Sequence, residues 1–201
     1  MSERYRVERA VSTKEGGLIL ATPPGTPWIY QHNTDNSARF VLGVEGPNPL
    51  VCVGLNPSTA APNDLDRTVT KVTRFAEQNG FEGWVMLNLY PQRSTNPDCL
   101  HRAHHVGLVA ENHKRIVDLV GGRTLTIVAA WGNLIISRPY LKGILADIVA
   151  APEFSSCNWV SLGPVLQTGH PRHPSRAAYT HALQTFDVAT YVRALQGASM
   201  P

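Results

Sequence analysis

Four short apolar runs, each closing on a polar loop, set the plan of this chain: residues 50–55 (LVCVGL), 84–89 (WVMLNL), 124–130 (TLTIVAA) and 159–162 (WVSL). Segments of helical period separate them. Val69, Val72, Phe75 and Ala76 fall at helical spacing within residues 68–79, with Asp66 as N-cap and Gly80 as stop signal. Residues 100–120 predict a second helix, ended by Gly121-Gly122, and residues 139–150 a third. Alternating strands and helices of this length require parallel strands joined by right-handed crossovers, with helices on both sheet faces. The expected fold is therefore a three-layer α/β/α domain around a mainly parallel, four-stranded sheet. Residues 1–48 carry short β-prone pieces at 18–21, 28–32 and 39–42, which predict an antiparallel extension on that sheet. Residues 49–196 form the α/β core, and residues 176–195 read as one or two helices.

At 201 residues the chain fits one domain. Hydrophobic residues make up 43% and charged residues 16%, which excludes a disordered or coiled-coil chain. The net charge of +3, with eight histidines in reserve, is compatible with a polyanionic partner without requiring one. No apolar run approaches the roughly 18 residues of a membrane span, so no membrane association is expected. The opening MSERYRVERA is charged, with no apolar segment of signal-peptide type. Cys52, Cys99 and Cys157 are odd in number and scattered, which predicts reduced thiols and a cytoplasmic location.

In open α/β sheets, ligands bind at the carboxyl ends of the strands. The residues found there are Gly54-Leu55-Asn56-Pro57-Ser58, then Asn88-Leu89-Tyr90-Pro91-Gln92-Arg93, then Trp131-Gly132-Asn133, then His170-Pro171-Arg172-His173-Pro174-Ser175. Amides, imidazoles and guanidiniums thus gather on one edge. Each has a plainer reading. Asn-Pro after a strand is an ordinary turn. Trp131 suits a core, and Asp64 and Asp66 suit a turn and a cap, or one of them serves the site as a base. Asn88 is harder to dismiss, because an amide inside an apolar strand needs partners and otherwise costs about 1–3 kcal/mol. His101, His104, His105 and His113 lack a carboxylate or thiolate at ligand spacing, so they predict a solvated helix face and no metal site.

The motifs GLNPSTA, NLYPQRSTNP, VAAWG and HPRHP resemble a bacterial and phage family defined only as a domain of unknown function. More remotely, their order resembles the uracil-DNA glycosylase superfamily. GLNPS is similar to its Gly-x-Asn/Asp-Pro motif and VMLN to its strand-borne Leu-Leu-Asn. VAAWG is similar to its Trp-Gly strand, and His173-Pro174-Ser175 to its His-Pro-Ser.

That resemblance implies a monofunctional DNA glycosylase with DNA as partner, acting as a monomer and needing no cofactor. An iron–sulfur cluster of the kind some relatives carry needs four thiolates, and only three cysteines exist. The enzyme would flip a nucleotide, hold its base and hydrolyse the N-glycosidic bond, leaving an abasic site. Asn56 and His173 take the catalytic positions, and Asp66, outside the matched motifs, joins them as the candidate base. Asn88, Gly54, Leu55, Pro57, Ser58 and Tyr90 take the base pocket, with Tyr90 or Trp131 stacking on the base. Arg93, Arg172, Ser175, Arg176 and His170 face DNA.

Two departures stand out. Asn56 replaces the Asp of the strongest uracil enzymes, and Ser58 stands where they carry a Tyr that excludes 5-substituted bases. Ser58, Thr59, Ala60 and Ala61 are small, so the expected base is uracil or a bulkier 5-modified pyrimidine such as hydroxymethyl- or glucosylcytosine. The role is then repair or defence against a modified virus. Two other readings remain: an N-glycosidase of free nucleosides or nucleotides, and a non-catalytic reader of modified DNA.

Overall fold

The computed structural model describes residues 28–197. It contains a single seven-stranded sheet. The strands are β1 (Trp28–His32), β2 (Arg39–Val44), β3 (Pro49–Gly54), β4 (Gly83–Asn88), β5 (Thr126–Ala129), β6 (Asn158–Leu162) and β7 (Leu183–Thr185). The helices are α1 (Arg67–Gln78), α2 (Val106–Val120), α3 (Pro139–Ala150) and α4 (Val188–Gly197). Strand order is β1-β2-β4-β3-β5-β6-β7. The central β4, β3, β5 and β6 are mutually parallel, while β1 and β2 on one edge and β7 on the other run antiparallel.

The parallel strands are apolar along nearly their whole length because both sheet faces are covered. Alternation divides the residues cleanly. Leu50 and Cys52 of β3, with Trp84 and Met86 of β4, face Val69, Val72, Phe75 and Ala76 of α1. Val51 and Val53, with Val85 and Leu87, face the opposite layer, where α2, α3 and α4 contribute Ile116, Val120, Leu141, Leu145, Ile148 and Val192. The chain moves from β3 outward to β4, then returns past β3 to β5. One crossover hand applied in both directions puts α1 on one face and the following helices on the other. The reversal at β3 is a topological switch point, where the loops leaving neighbouring strands part and leave a crevice.

The sheet is thus larger than the four strands expected. The parallel four are present, and β1 and β2 occupy residues 28–32 and 39–44 of the expected N-terminal extension; the piece at 18–21 lies outside the described residues. The tail departs from its helical expectation. Residues 174–176 form one short turn, 183–185 form β7 against β6, and only Val188–Gly197 is helical. Leu183 is half-buried against the core while Gln184 and Thr185 are exposed, and pairing with an open edge outweighs helix propensity there. The second helix starts at Val106, not at 100, because Pro97–Cys99 form a separate turn and Leu100 is extended. Asp66 caps α1 as expected, its Oδ1 accepting from Val69 N at 2.9 Å.

Candidate functional site

The carboxyl ends of the parallel strands open on a cleft of about 930 Å³. Binding pockets for small molecules fall at roughly 300–1,000 Å³, so a nucleotide-sized ligand fits. Its walls come from five places in sequence. These are Leu55, Asn56 and Ser58 after β3, the start of α1, Ser94, Thr95 and Pro97 after β4, Trp131 to Leu134 after β5, and Leu166, Arg172, His173, Ser175 and Arg176 after β6, with Met86 of β4 beside them. Arg39 joins them because β2 runs antiparallel, so its first residue lies at the same edge.

Asn56 is fastened by its amide nitrogen, which donates to Ser94 O at 2.9 Å and Pro57 O at 3.1 Å, with a longer 3.5 Å contact to Gln92 O. All three partners are carbonyls, so the orientation of the amide is fixed and Oδ1 remains as an acceptor. An acceptor can orient a water molecule, but an amide cannot take its proton.

His173 precedes the turn Pro174–Arg176. Its Nδ1 accepts from Ser175 N at 3.3 Å and lies 2.8 Å from Ser175 Oγ. A ring nitrogen that accepts from a backbone N–H carries no proton, so in the neutral ring the proton resides on Nε2. Burial lowers the pKa below its ordinary value near 6.5; Asp66 opposes that shift and Arg176 reinforces it. His173 is therefore a neutral hydrogen-bond donor at neutral pH. Two neighbours fix its loop. Buried Lys71 donates to Ala177 O and lies 4.9 Å over the Tyr179 ring. Gly132 is the other: its φ of 63° is a left-handed conformation that favours glycine, and it brings the loop after β5 into van der Waals range of His173 Cβ and backbone.

Asp66 and Arg67 present the N-terminus of α1 to the cleft. Asn88 lies beneath the floor. It is fully buried, and neither Nδ2 nor Oδ1 has a hydrogen-bond partner. It shares a strand face with Met86, which lines the cleft. A Cβ on Gly54 would stand 2.6 Å from Met86 Cε and 3.0 Å from Asn88 Oδ1, so a larger residue there would require both side chains to shift.

The cleft gathers Leu55, Asn56, Ser58, Asp66, Arg172, His173, Ser175 and Arg176 from the expected site. Gly54, Pro57 and Asn88, also expected in the base pocket, do not line it. Three expected residues are placed elsewhere. Tyr90 is fully buried on the α2 side, its hydroxyl 2.6 Å from His101 Nδ1 and accepting from His105 N, so it does not stack in the cleft. The Arg93 guanidinium is held internally by Ser58 O, Tyr30 Oη and Asn36 Oδ1, at 2.7, 2.7 and 3.1 Å. His170 Nδ1 lies 2.8 Å from Tyr191 Oη, which also accepts from Trp131 Nε1 at 3.0 Å. Trp131 is wholly buried yet forms part of the cleft wall.

Arg39 and Arg67 were not anticipated. The signal for Arg39 was present, as a guanidinium opening the apolar strand RFVLGV. Its relevance depends on the antiparallel pairing, which the strand alone does not reveal.

A family described as "Protein of unknown function (DUF1643)" matches residues 39–175, from the first cleft residue through His173 to Ser175. No curated protein and no solved structure matches the chain.

Proposed function

This chain belongs to the DUF1643 family, whose description assigns no chemistry, and from its cleft we propose a DNA glycosylase that removes a modified pyrimidine and leaves an abasic site. The observation that carries the reading is the meeting of His173, Asp66 and Asn56 in one cleft, with His173 held neutral. The order of the motifs along the sheet supports a fold of the uracil-DNA glycosylase kind.

The chemistry follows from these groups. The C1′–N bond breaks and its electron pair leaves on the base. The Nε2–H of His173 donates to a base oxygen on which that charge collects, and a fixed donor in a dry site stabilises it strongly. Asn56 Oδ1 orients a water molecule, whose oxygen bonds to C1′. The Asp66 carboxylate takes the water's proton, which finally passes to the departed base. Asn88, fully buried and outside the cleft lining, does not reach a base in this arrangement, so the reading of the base edge is left to the groups that line the cleft. The cleft volume and the small side chain of Ser58 favour a base larger than uracil. Arg67 and Arg176, both exposed, and Arg172 at the rim suit backbone phosphates.

The test is base release. Purified protein is incubated with DNAs carrying uracil, thymine mismatches, 5-hydroxymethylcytosine, 5-carboxycytosine or glucosylated cytosine. Free bases are read by mass spectrometry and abasic sites by alkaline cleavage. Release from one substrate, lost in Asp66→Asn and reduced in Asn56→Ala, is the expected result. No release from any of them overturns the proposal. Salt-sensitive DNA binding without release selects a second reading, a non-catalytic reader of modified DNA, which the engagement of the Asn56 amide with carbonyls favours.

A further inference from the structure

Arg39 is 2% exposed, yet it lines the cleft. Its Nη1 donates to Ala60 O at 2.7 Å, while Nε is buried without a partner. Among the described residues no carboxylate forms an ion pair with it. Asp66 acts on it only through space, with Oδ1 already engaged by Val69 N. Arg93 donates to the same Ala60 carbonyl and brings a second positive charge. Burial first, and Arg93 second, push the Arg39 pKa down to about 10, so the group stays cationic at neutral pH.

A buried charge without a counter-ion is unfavourable unless something compensates it. The rest of the lining adds to the imbalance, because Arg67, Arg172 and Arg176 share the cleft with the single carboxylate of Asp66. Such a site favours a ligand that carries its own negative charge to the floor.

We propose that Arg39 forms an anion subsite at the floor of the cleft and takes a phosphate or carboxylate group of the ligand. The guanidinium fork matches the oxygen pairs of both groups. Under the DNA reading above, rim arginines meet the backbone phosphates, so the acidic group at Arg39 is a carboxylate on the flipped base. For a free nucleotide it is the phosphate. The subsite itself does not depend on bond cleavage.

Calorimetric titration of the whole chain with deoxycytidine, dCMP and 5-carboxy-2′-deoxycytidine tests this. At least one acidic compound is expected to bind about tenfold or more tightly than deoxycytidine, in line with a charge-assisted pair. A preference for dCMP alone assigns the phosphate, and a preference for the carboxylated nucleoside alone assigns an acidic base. Arg39→Met, which fills similar volume, should remove most of the preference, and Arg39→Lys, which keeps charge without the fork, part of it. Circular dichroism reports whether each variant folds; if Arg39→Met does not, Arg39→Lys decides. Equal affinity for all three compounds, no binding of any, or an undiminished preference in the folded variants overturns the proposal. Absent base release with an intact acidic preference would refute the glycosylase and leave this subsite standing.

Discussion

Asn56 Nδ2 donates to Ser94 O at 2.9 Å, so the side chain that follows β3 pins the loop that follows β4. Ser94 N donates to Pro57 O at 2.8 Å and closes the link from the other side. Two walls of the cleft are thereby joined by one amide and one peptide. This explains why the first motif carries an amide where an ionised carboxylate, which only accepts, would face carbonyl oxygens.

Asn56→Asp should therefore destabilise the protein by about 1–3 kcal/mol at neutral pH, the usual penalty for leaving polar groups unpaired. Asn56→Ala should lose less, since it adds no charge against the carbonyls. Denaturant unfolding of both variants checks the order, and an Asp variant as stable as the wild type would contradict the assigned orientation of the amide.

Asp66 joins two roles that substitution can separate. Asp66→Ala removes the N-cap of α1 and should cost about 1 kcal/mol. Asp66→Asn keeps an N-cap oxygen but not the charge, so its thermal midpoint should stay near that of the wild type. Its His173 pKa should fall further, because Asp66 raises it in the intact protein. Thermal melts and histidine NMR titrations of the two variants read these effects independently.

His173 gives stability a defined pH dependence. Its folded pKa lies below the ordinary value near 6.5, so the unfolded chain binds more protons between the two values. The contribution is present above the unfolded pKa and is lost as pH falls from about 6.5 through the folded pKa. His170, lowered chiefly by burial, acts in the same sense. Unfolding free energies measured from about pH 7 to pH 5 should decline, and His173→Gln should flatten the decline. An equal slope in that variant would place the proton uptake elsewhere.

Tyr191 Oη accepts from the buried indole N–H of Trp131, and Tyr191→Phe would leave that donor unpaired. A loss of about 1–3 kcal/mol is expected, with Trp131 near-ultraviolet dichroism altered. The Tyr191 hydroxyl also holds His170, so an NMR titration of the variant should show a displaced His170 response.

Much of the architecture is legible in the sequence. Continuous apolar runs alternating with helical periods require a covered parallel sheet, and strand ends in such a sheet gather the ligand-facing loops. That logic brings Asn56, Ser58 and His173 into one expected site, and the cleft contains all three; Asp66, legible as an N-cap with a base as the alternative, lines it as well. It failed for the tail, where β7 forms only because β6 offers an open edge.

Side-chain direction was beyond its reach. Tyr90, Arg93 and His170 sit in the same loops as the cleft residues, but each is turned away by a partner distant in sequence: His101 and His105, Tyr30 and Ser58, Tyr191. Arg39 enters the cleft for the converse reason, since antiparallel pairing of β2 with β4 brings its start to the edge where the parallel strands end. Periodicity is a local property, carried by residues a few positions apart, and the sequence determines it alone. Which polar groups share a cavity, and which of them lack a partner, depends on contacts between loops far apart in the chain, and only the packed tertiary structure decides it.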